Sequence, residues 1–190
     1  VGKLSATDLA LRRYVLDVVM PLWIASGSID YVLHRNAKIE SNAGTTESLM
    51  HAVGISMSAV PVLAGLFLEV DAGVVLAMIG GYAAHAGMTI WDVSYASTKR
   101  EVEPLEQHVH GMLELLPFTA LSFMLVAHRH QALALVGRGT SHPRFAFERK
   151  RVPLAKGAIV RTIAAFGLFV ALPYVEELVR CYRYERAARP

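Results

Sequence analysis

Three acid–histidine pairs share one spacing: Asp30 with His34, Glu47 with His51, and Glu106 with His110. Residues at i and i+4 lie one turn apart on one helix face, so both side chains of a pair can point at a single ion. With 16 acidic residues and 8 histidines in 190 positions, random placement gives roughly 0.7 such pairs. His85 and Asp92 add a looser pair, two turns apart on a common face. Carboxylates are hard anionic ligands and imidazoles are borderline, a set that suits iron, manganese or zinc. Four-helix bundles hold two-metal carboxylate sites by projecting such side chains inward. Asp30, His34, Glu47, His51, His85, Asp92, Glu106 and His110 are therefore the expected ligands of two metal ions.

Five segments are long and apolar enough to position them in a bilayer, where a span needs roughly 20 residues. They run about Leu9 to Leu33, Thr46 to Leu68, Ala72 to Tyr95, Leu105 to Ala127, and Ala158 to Val179. Pro21, Pro61, Pro117 and Pro173 fall inside four of them, where membrane helices tolerate them as kinks. Residues 35–44 form a polar loop, 69–71 a tight turn, 97–104 a charged link with Pro104 opening the next helix, and 128–156 a long basic connection. The expected fold is one all-α transmembrane domain over residues 1–190, with five helices, four of them surrounding the metal site.

Alternating connections define two faces. Face X carries loops 35–44 and 97–104 and the C-terminus; face Y carries the N-terminus, turn 69–71 and the 128–156 connection. All four acid–histidine pairs then fall at similar depth beside face X. Lys and Arg number eight on X and eleven on Y, counting Lys3 on Y and Arg189 on X. This small excess puts Y on the cytoplasmic side by the positive-inside rule. The expected location is a multi-pass protein of a bacterial inner membrane or its equivalent.

Composition agrees. Hydrophobic residues make up 54% and charged residues 18%, against about 25% charged in soluble domains. Mean hydropathy is +0.38 and the pI is near 9.1. The net charge of +3 has its simplest partner in lipid headgroups. No basic stripe with interleaved aromatics exists, which excludes nucleic acid. Cys181 is the only cysteine, which excludes an intrachain disulfide. No cleavable signal peptide is expected.

One acid–histidine pair alone reads as a helix-end ion pair; four at one depth point to shared ligands. Glu114, one turn beyond His110, reads as a further ligand, a hydrogen-bond partner of one, or a proton carrier. Tyr31 and Tyr95 lie beside the site and are candidates for redox or hydrogen-bonding roles. With Trp23, Trp91 and Tyr174 they equally fit an aromatic belt. Asp17 is expected to pair with Arg13. Glu176 and Glu177 lie at the X end of the last span, with Glu176 a candidate partner of the ligands. Gly80, Gly81 and Gly87, with Ala83, Ala84 and Ala86, should let neighbours approach the third helix closely. His108 is off the Glu106–His110 face. His128, His130 and His142 belong to face Y, His128 roughly 27 Å from His110 along a helix.

These residues loosely resemble the design of membrane di-iron enzymes, such as the fatty acid hydroxylase and desaturase group: few helices, with ligands gathered at one face. Those families carry His-x-x-His-His boxes, and this chain has none. Its acid-rich set is closer in kind to ferritin-like di-iron proteins and the alternative oxidases, which use Glu-x-x-His. The resemblance implies two iron ions, O2, an external electron donor, and oxidation of a lipid-like or other hydrophobic substrate. Zinc and manganese are the alternative metals. A zinc-dependent lipid hydrolase using Ser48 or Ser94, a metal carrier, and a bis-histidine haem protein are the competing readings. Four acids exceed what one catalytic zinc requires, and haem gives no reason for partnered carboxylates.

Overall fold

Backbone polar groups in lipid must be satisfied within their own segment, so long apolar runs fold as helices. The computed structural model describes residues 6–138 and 142–188; Lys3 and Arg189 of the charge count lie outside them. Five helices are long and apolar enough to cross a membrane: α1 (Ala6–Asn36), α2 (Gly44–Phe67), α3 (Ala72–Lys99), α4 (Pro104–Ala127) and α5 (Lys156–Ala187). The expected spans recur with longer X ends, because α3 continues to Lys99 and α5 to Ala187. Among its described residues, the 128–155 connection contains a short helix, Arg129–Leu135, and is otherwise irregular. No strand occurs among the described residues; one isolated bridge pairs Leu68 with Arg149.

The helices close a ring. α1 packs on α4, α4 on α3, α3 on α2, α2 on α5, and α5 on α1. A ring of this kind gathers one end of every helix around a common axis. Three small apolar cores seal it. Ala64, Val70, Val74, Val75 and Met78 pack at the Y end. Val19, Met20, Trp23 and Leu116 join α1 to α4, and Ile24, Val170 and Tyr174 join α1 to α5. Leu22, Ile29, Leu63, Ile90, Phe118 and Val126 stay exposed on the outside, as lipid-facing side chains do.

The prolines shape the ring through the hydrogen bonds they remove. The π-helical turns Val15–Val19 and Gly167–Ala171 each lie just before a proline, Pro21 and Pro173. A widened turn accommodates a ring that lacks an N–H and crowds the preceding carbonyl. Pro117 frees the Leu113 carbonyl, which accepts from Trp23 Nε1 at 3.2 Å. Pro173 frees the Phe169 carbonyl, which accepts from Ser28 Oγ at 2.9 Å. Trp23 is therefore a core residue tying α1 to α4, not a belt anchor. Asp17 pairs with Arg161 of α5 rather than with Arg13.

Small residues matter at fewer places than the pattern suggested. At Gly81 a Cβ would lie 2.7 Å from Pro61 Cδ, whereas Gly80 and Gly87 face open space. Gly44 has a φ of +67°, and Glu185 approaches where its Cβ would be. The Glu185 carboxylate accepts from the Thr45 N–H at 2.7 Å, fixing the start of α2 against the end of α5. Arg180 and Glu40 form a second tie between α5 and the α1–α2 connection.

Asp71 organises the Y end. Its Oδ1 caps α3 by accepting from Val74 N at 2.9 Å. Its Oδ2 accepts from Ala146 N at 2.8 Å and Phe147 N at 3.1 Å. Burial pushes its pKa up, but these backbone N–H groups outweigh that and hold it below the ordinary value. Asp71→Ala removes a helix cap and leaves two loop amides without their acceptor, a loss of about 1–3 kcal/mol. Faster hydrogen exchange across residues 142–155, with α4 unchanged, is the expected outcome.

Candidate metal centre

All five helices bring polar side chains to one point near face X. α1 supplies Asp30 and His34, α2 Glu47 and His51, α3 Asp92, α4 Glu106 and His110, and α5 Tyr174 and Glu177; all are buried. Arg100 enters from the link between α3 and α4. The sequence pairs thus converge as their spacing predicts, and the fifth helix completes the group.

Glu177 joins two imidazoles. Its Oε2 lies 3.2 Å from His34 Nδ1 and its Oε1 2.8 Å from His51 Nδ1. The two rings stack with centroids 4.4 Å apart and planes 8° from parallel. His51 Nε2 faces Asp92 Oδ2 at 3.2 Å. His34 Nε2 faces Glu106 at 3.3 Å and Asp30 at 3.6 Å. His110 Nε2 lies 3.0 Å from Asp30 Oδ1. Tyr174 donates to Asp30 Oδ2 at 2.6 Å. Arg100 reaches Glu47 at 2.6 Å and also grips Glu106.

The five carboxylates of the cluster outnumber its one permanent cation, and the charge left over depends on the imidazoles. Asp30, Glu47, Asp92, Glu106 and Glu177 stand against the single guanidinium of Arg100. With neutral imidazoles four negative charges remain, with all three protonated one remains, and buried uncompensated charge is costly. Burial opposes the Arg100 charge, but Glu106 and Glu47 hold its pKa above the ordinary arginine value. Asp92 Oδ1 and His110 Nδ1 are buried with no hydrogen-bond partner. Two triads have ligand atoms within 4.8 Å of one another: Asp30, His34 and His110, and His34, Glu47 and His51. Two divalent cations ligated by neutral imidazoles would balance the charge, and the donor set fits them.

Other expected residues lie apart. His85 is outside both triads, with Nδ1 3.2 Å from the Gly54 carbonyl. Glu114 lies near His85 and Tyr82 rather than the cluster. Tyr31 donates to Glu176 at 2.7 Å, and Tyr95 to the Ala43 carbonyl at 3.3 Å. Glu176 also pairs with Arg35 at 3.0 Å, toward the surface. His108 is exposed, and His128 and His130 pack near each other on the Y side.

The spacing of pairs missed Glu177, Tyr174 and Arg100. A signal existed for the first two. Val170, Tyr174, Glu177 and Cys181 form the buried stripe of α5, spaced 4, 3 and 4, and that stripe selects Glu177 over Glu176. Arg100 gave no such signal, because its role depends on how the α3–α4 link folds back over the site.

Two cavities occupy the ring below the cluster. The smaller, about 70 Å³, is bounded by Asp30, His51, Asp92 and His110. The larger, about 250 Å³, is mostly apolar and runs toward face Y. Asp8, Arg12, Glu69, His128 and Lys150 surround its Y end. Burial, aided by Arg12, pushes the Lys150 pKa down to about 8.

No protein-family model, curated protein or solved structure matches this chain. The functional reading therefore rests on the site.

Arg100→Met leaves Glu47 and Glu106 buried without their cation, and breaking a buried pair costs about 3–5 kcal/mol. A clear fall in the thermal midpoint of metal-free protein is expected, partly reversed in the Arg100→Met, Glu47→Gln double variant. An unchanged midpoint would show that the carboxylates need no internal counter-charge.

Proposed function

We propose that this chain is a multi-pass membrane enzyme with a two-metal centre, iron first among the candidates, that oxidises a hydrophobic substrate with O2 and an external electron donor. The observation that carries the reading is the buried excess of carboxylates interleaved with imidazoles above an apolar cavity. His34, His51 and His110 would act as nitrogen ligands, with Asp30, Glu47, Asp92, Glu106 and Glu177 as oxygen ligands. Bound iron supplies the redox chemistry that O2 activation requires. The protein's own contribution is placement. Glu177 presents one oxygen toward each stacked histidine. Tyr174 orients Asp30, Arg100 orients Glu47 and Glu106, and the ring walls keep the centre out of bulk water.

The hydrolase reading finds less support. Ser94 is exposed and donates to the Ile90 carbonyl. Ser48 is buried but lines neither cavity.

The test is metal content and optical spectrum of chelator-washed protein reloaded with ferrous iron, followed by O2 uptake with a reductant. About two irons per chain, without a haem Soret band, is the expected result. His51→Ala and Glu106→Ala should each lose metal and O2 uptake, while His128→Ala keeps both. Full metal occupancy and activity in His51→Ala would overturn the site, and one tightly held zinc would favour the hydrolase.

A further inference from the structure

The larger cavity is a long apolar space with permanent charge at one end. On α2 its lining runs from Ser58 to Glu69, and on α4 from Pro117 to His128. Each run covers roughly 16 Å at helical rise. At the inner end Trp23, Ser58 and His85 also line the smaller cavity, where the two spaces meet below the cluster. At the Y end stand Asp8, Arg12, Glu69, His128 and Lys150, all partly exposed.

The two cations of that end are held by backbone, not by acids. Arg12 Nη1 donates to the Val152 carbonyl at 2.9 Å, and Lys150 Nζ to the Leu68 carbonyl at 2.8 Å. Neither belongs to an ion pair among the described residues. Glu69 is turned to the backbone, its Oε1 accepting from Arg151 N at 2.6 Å. A guanidinium carries five N–H donors and an ammonium three, so both cations keep donors for a ligand. They also act on each other. Burial and Arg12 hold the Lys150 pKa down at about 8, although Glu69 opposes them. An anion received between two such cations relieves both.

Volume bounds the rest of the ligand. An apolar cavity of about 150 Å³ takes a benzene-sized guest, so the larger cavity, at about 250 Å³, takes roughly ten non-hydrogen atoms by proportion. Spread over its length, that is one extended hydrocarbon chain, which rules out a two-chain phospholipid. Asp8 and Glu69 border the same opening and disfavour a doubly charged head such as a phosphate monoester.

We propose that the larger cavity binds a medium-chain carboxylic acid as its anion, with the carboxylate between Arg12 and Lys150 and the chain running inward to Trp23. The methyl end then lies at the entrance to the smaller cavity, below the cluster. That the acid is a substrate rests on the proposed oxidative centre; that it binds does not.

The test uses the full chain in phosphatidylcholine nanodiscs at about pH 7, above the ordinary carboxyl range and below the Lys150 pKa of about 8. Binding of decanoate, methyl decanoate and decyltrimethylammonium is compared after correction for partitioning into lipid. Decanoate should bind about tenfold more tightly than its uncharged ester, the scale of one charge-assisted hydrogen bond, and the cation most weakly. The Arg12→Met, Lys150→Met double variant should bind decanoate no better than the ester, with ester affinity unchanged. The charge-keeping Arg12→Lys and Lys150→Arg variants should retain the preference. Ala120→Trp should weaken both ligands by filling the cavity. Nuclear Overhauser contacts should join the terminal methyl of decanoate to the Trp23 indole. Equal affinity for acid and ester, a preference that survives in the double variant, unchanged decanoate binding in Ala120→Trp, or methyl contacts at Arg12 overturns the proposal. So does loss of the preference in phosphatidylglycerol nanodiscs, which would assign the two cations to lipid headgroups. Iron content measured in the same samples separates the two readings. Bound iron without acid preference defeats the acid site alone. Acid preference without any metal supports the binding site and removes its role as substrate.

Discussion

Burying carboxylates in an apolar bundle is the constraint on which the rest of this structure depends. Each carboxylate at the X end is far more costly without a counter-charge than any single apolar contact is favourable. The geometry answers that cost in layers. Arg100 covers the pair nearest the surface, Glu47 and Glu106. Glu177 lies between His34 and His51, and Asp30 is held by Tyr174 and faces His110. These contacts link all five helices, so the cluster fixes the relative height and rotation of every helix in the ring. The negative charge that remains beside neutral imidazoles is what the proposed metal centre would draw on. Fold and candidate chemistry thus share one cause.

Pinning at X leaves the middle of the ring lightly filled. At the Y end one apolar core packs Ala64 against Val74, Val75 and Met78, and Asp71 ties the long connection to the start of α3. Between cluster and cores the ring encloses cavities rather than side chains. Proline helps maintain that space, because π turns widen α1 and α5 next to it. Trp23 and Ser28 occupy the carbonyls that Pro117 and Pro173 release, so the irregular helices keep their backbone satisfied. An apolar space below a buried polar cluster, inside a closed ring, is what the proposed oxidation of a hydrophobic substrate would use.

Much of this was legible in the chain. Apolar runs set the five helices, since lipid leaves a backbone few alternatives. The i, i+4 spacing foretold that Asp30, His34, Glu47, His51, Glu106 and His110 would gather at one end of the bundle, because helix geometry translates such spacing directly into a shared face. The parts that escaped were those decided by tertiary contact. Tyr174 and Trp23 look like interface aromatics until the helices they bridge are in place. Asp17 looks like a local partner of Arg13 until α5 brings Arg161 beside it. Arg100 belongs to a short link whose path no periodicity records. His85 shares a helix face with Asp92, but two turns of rise carry it past the cluster to the Gly54 carbonyl and the cavity junction.

Anomalous scattering at the iron edge from crystals of iron-loaded protein tests the central claim most directly. Two peaks, about 3.5–4 Å apart as in two-metal sites, are expected among Asp30, His34, His51, His110 and Glu177. An absence of peaks there, or iron bound only near His128 and His130, would contradict it and leave the cluster as a set of buried ion pairs.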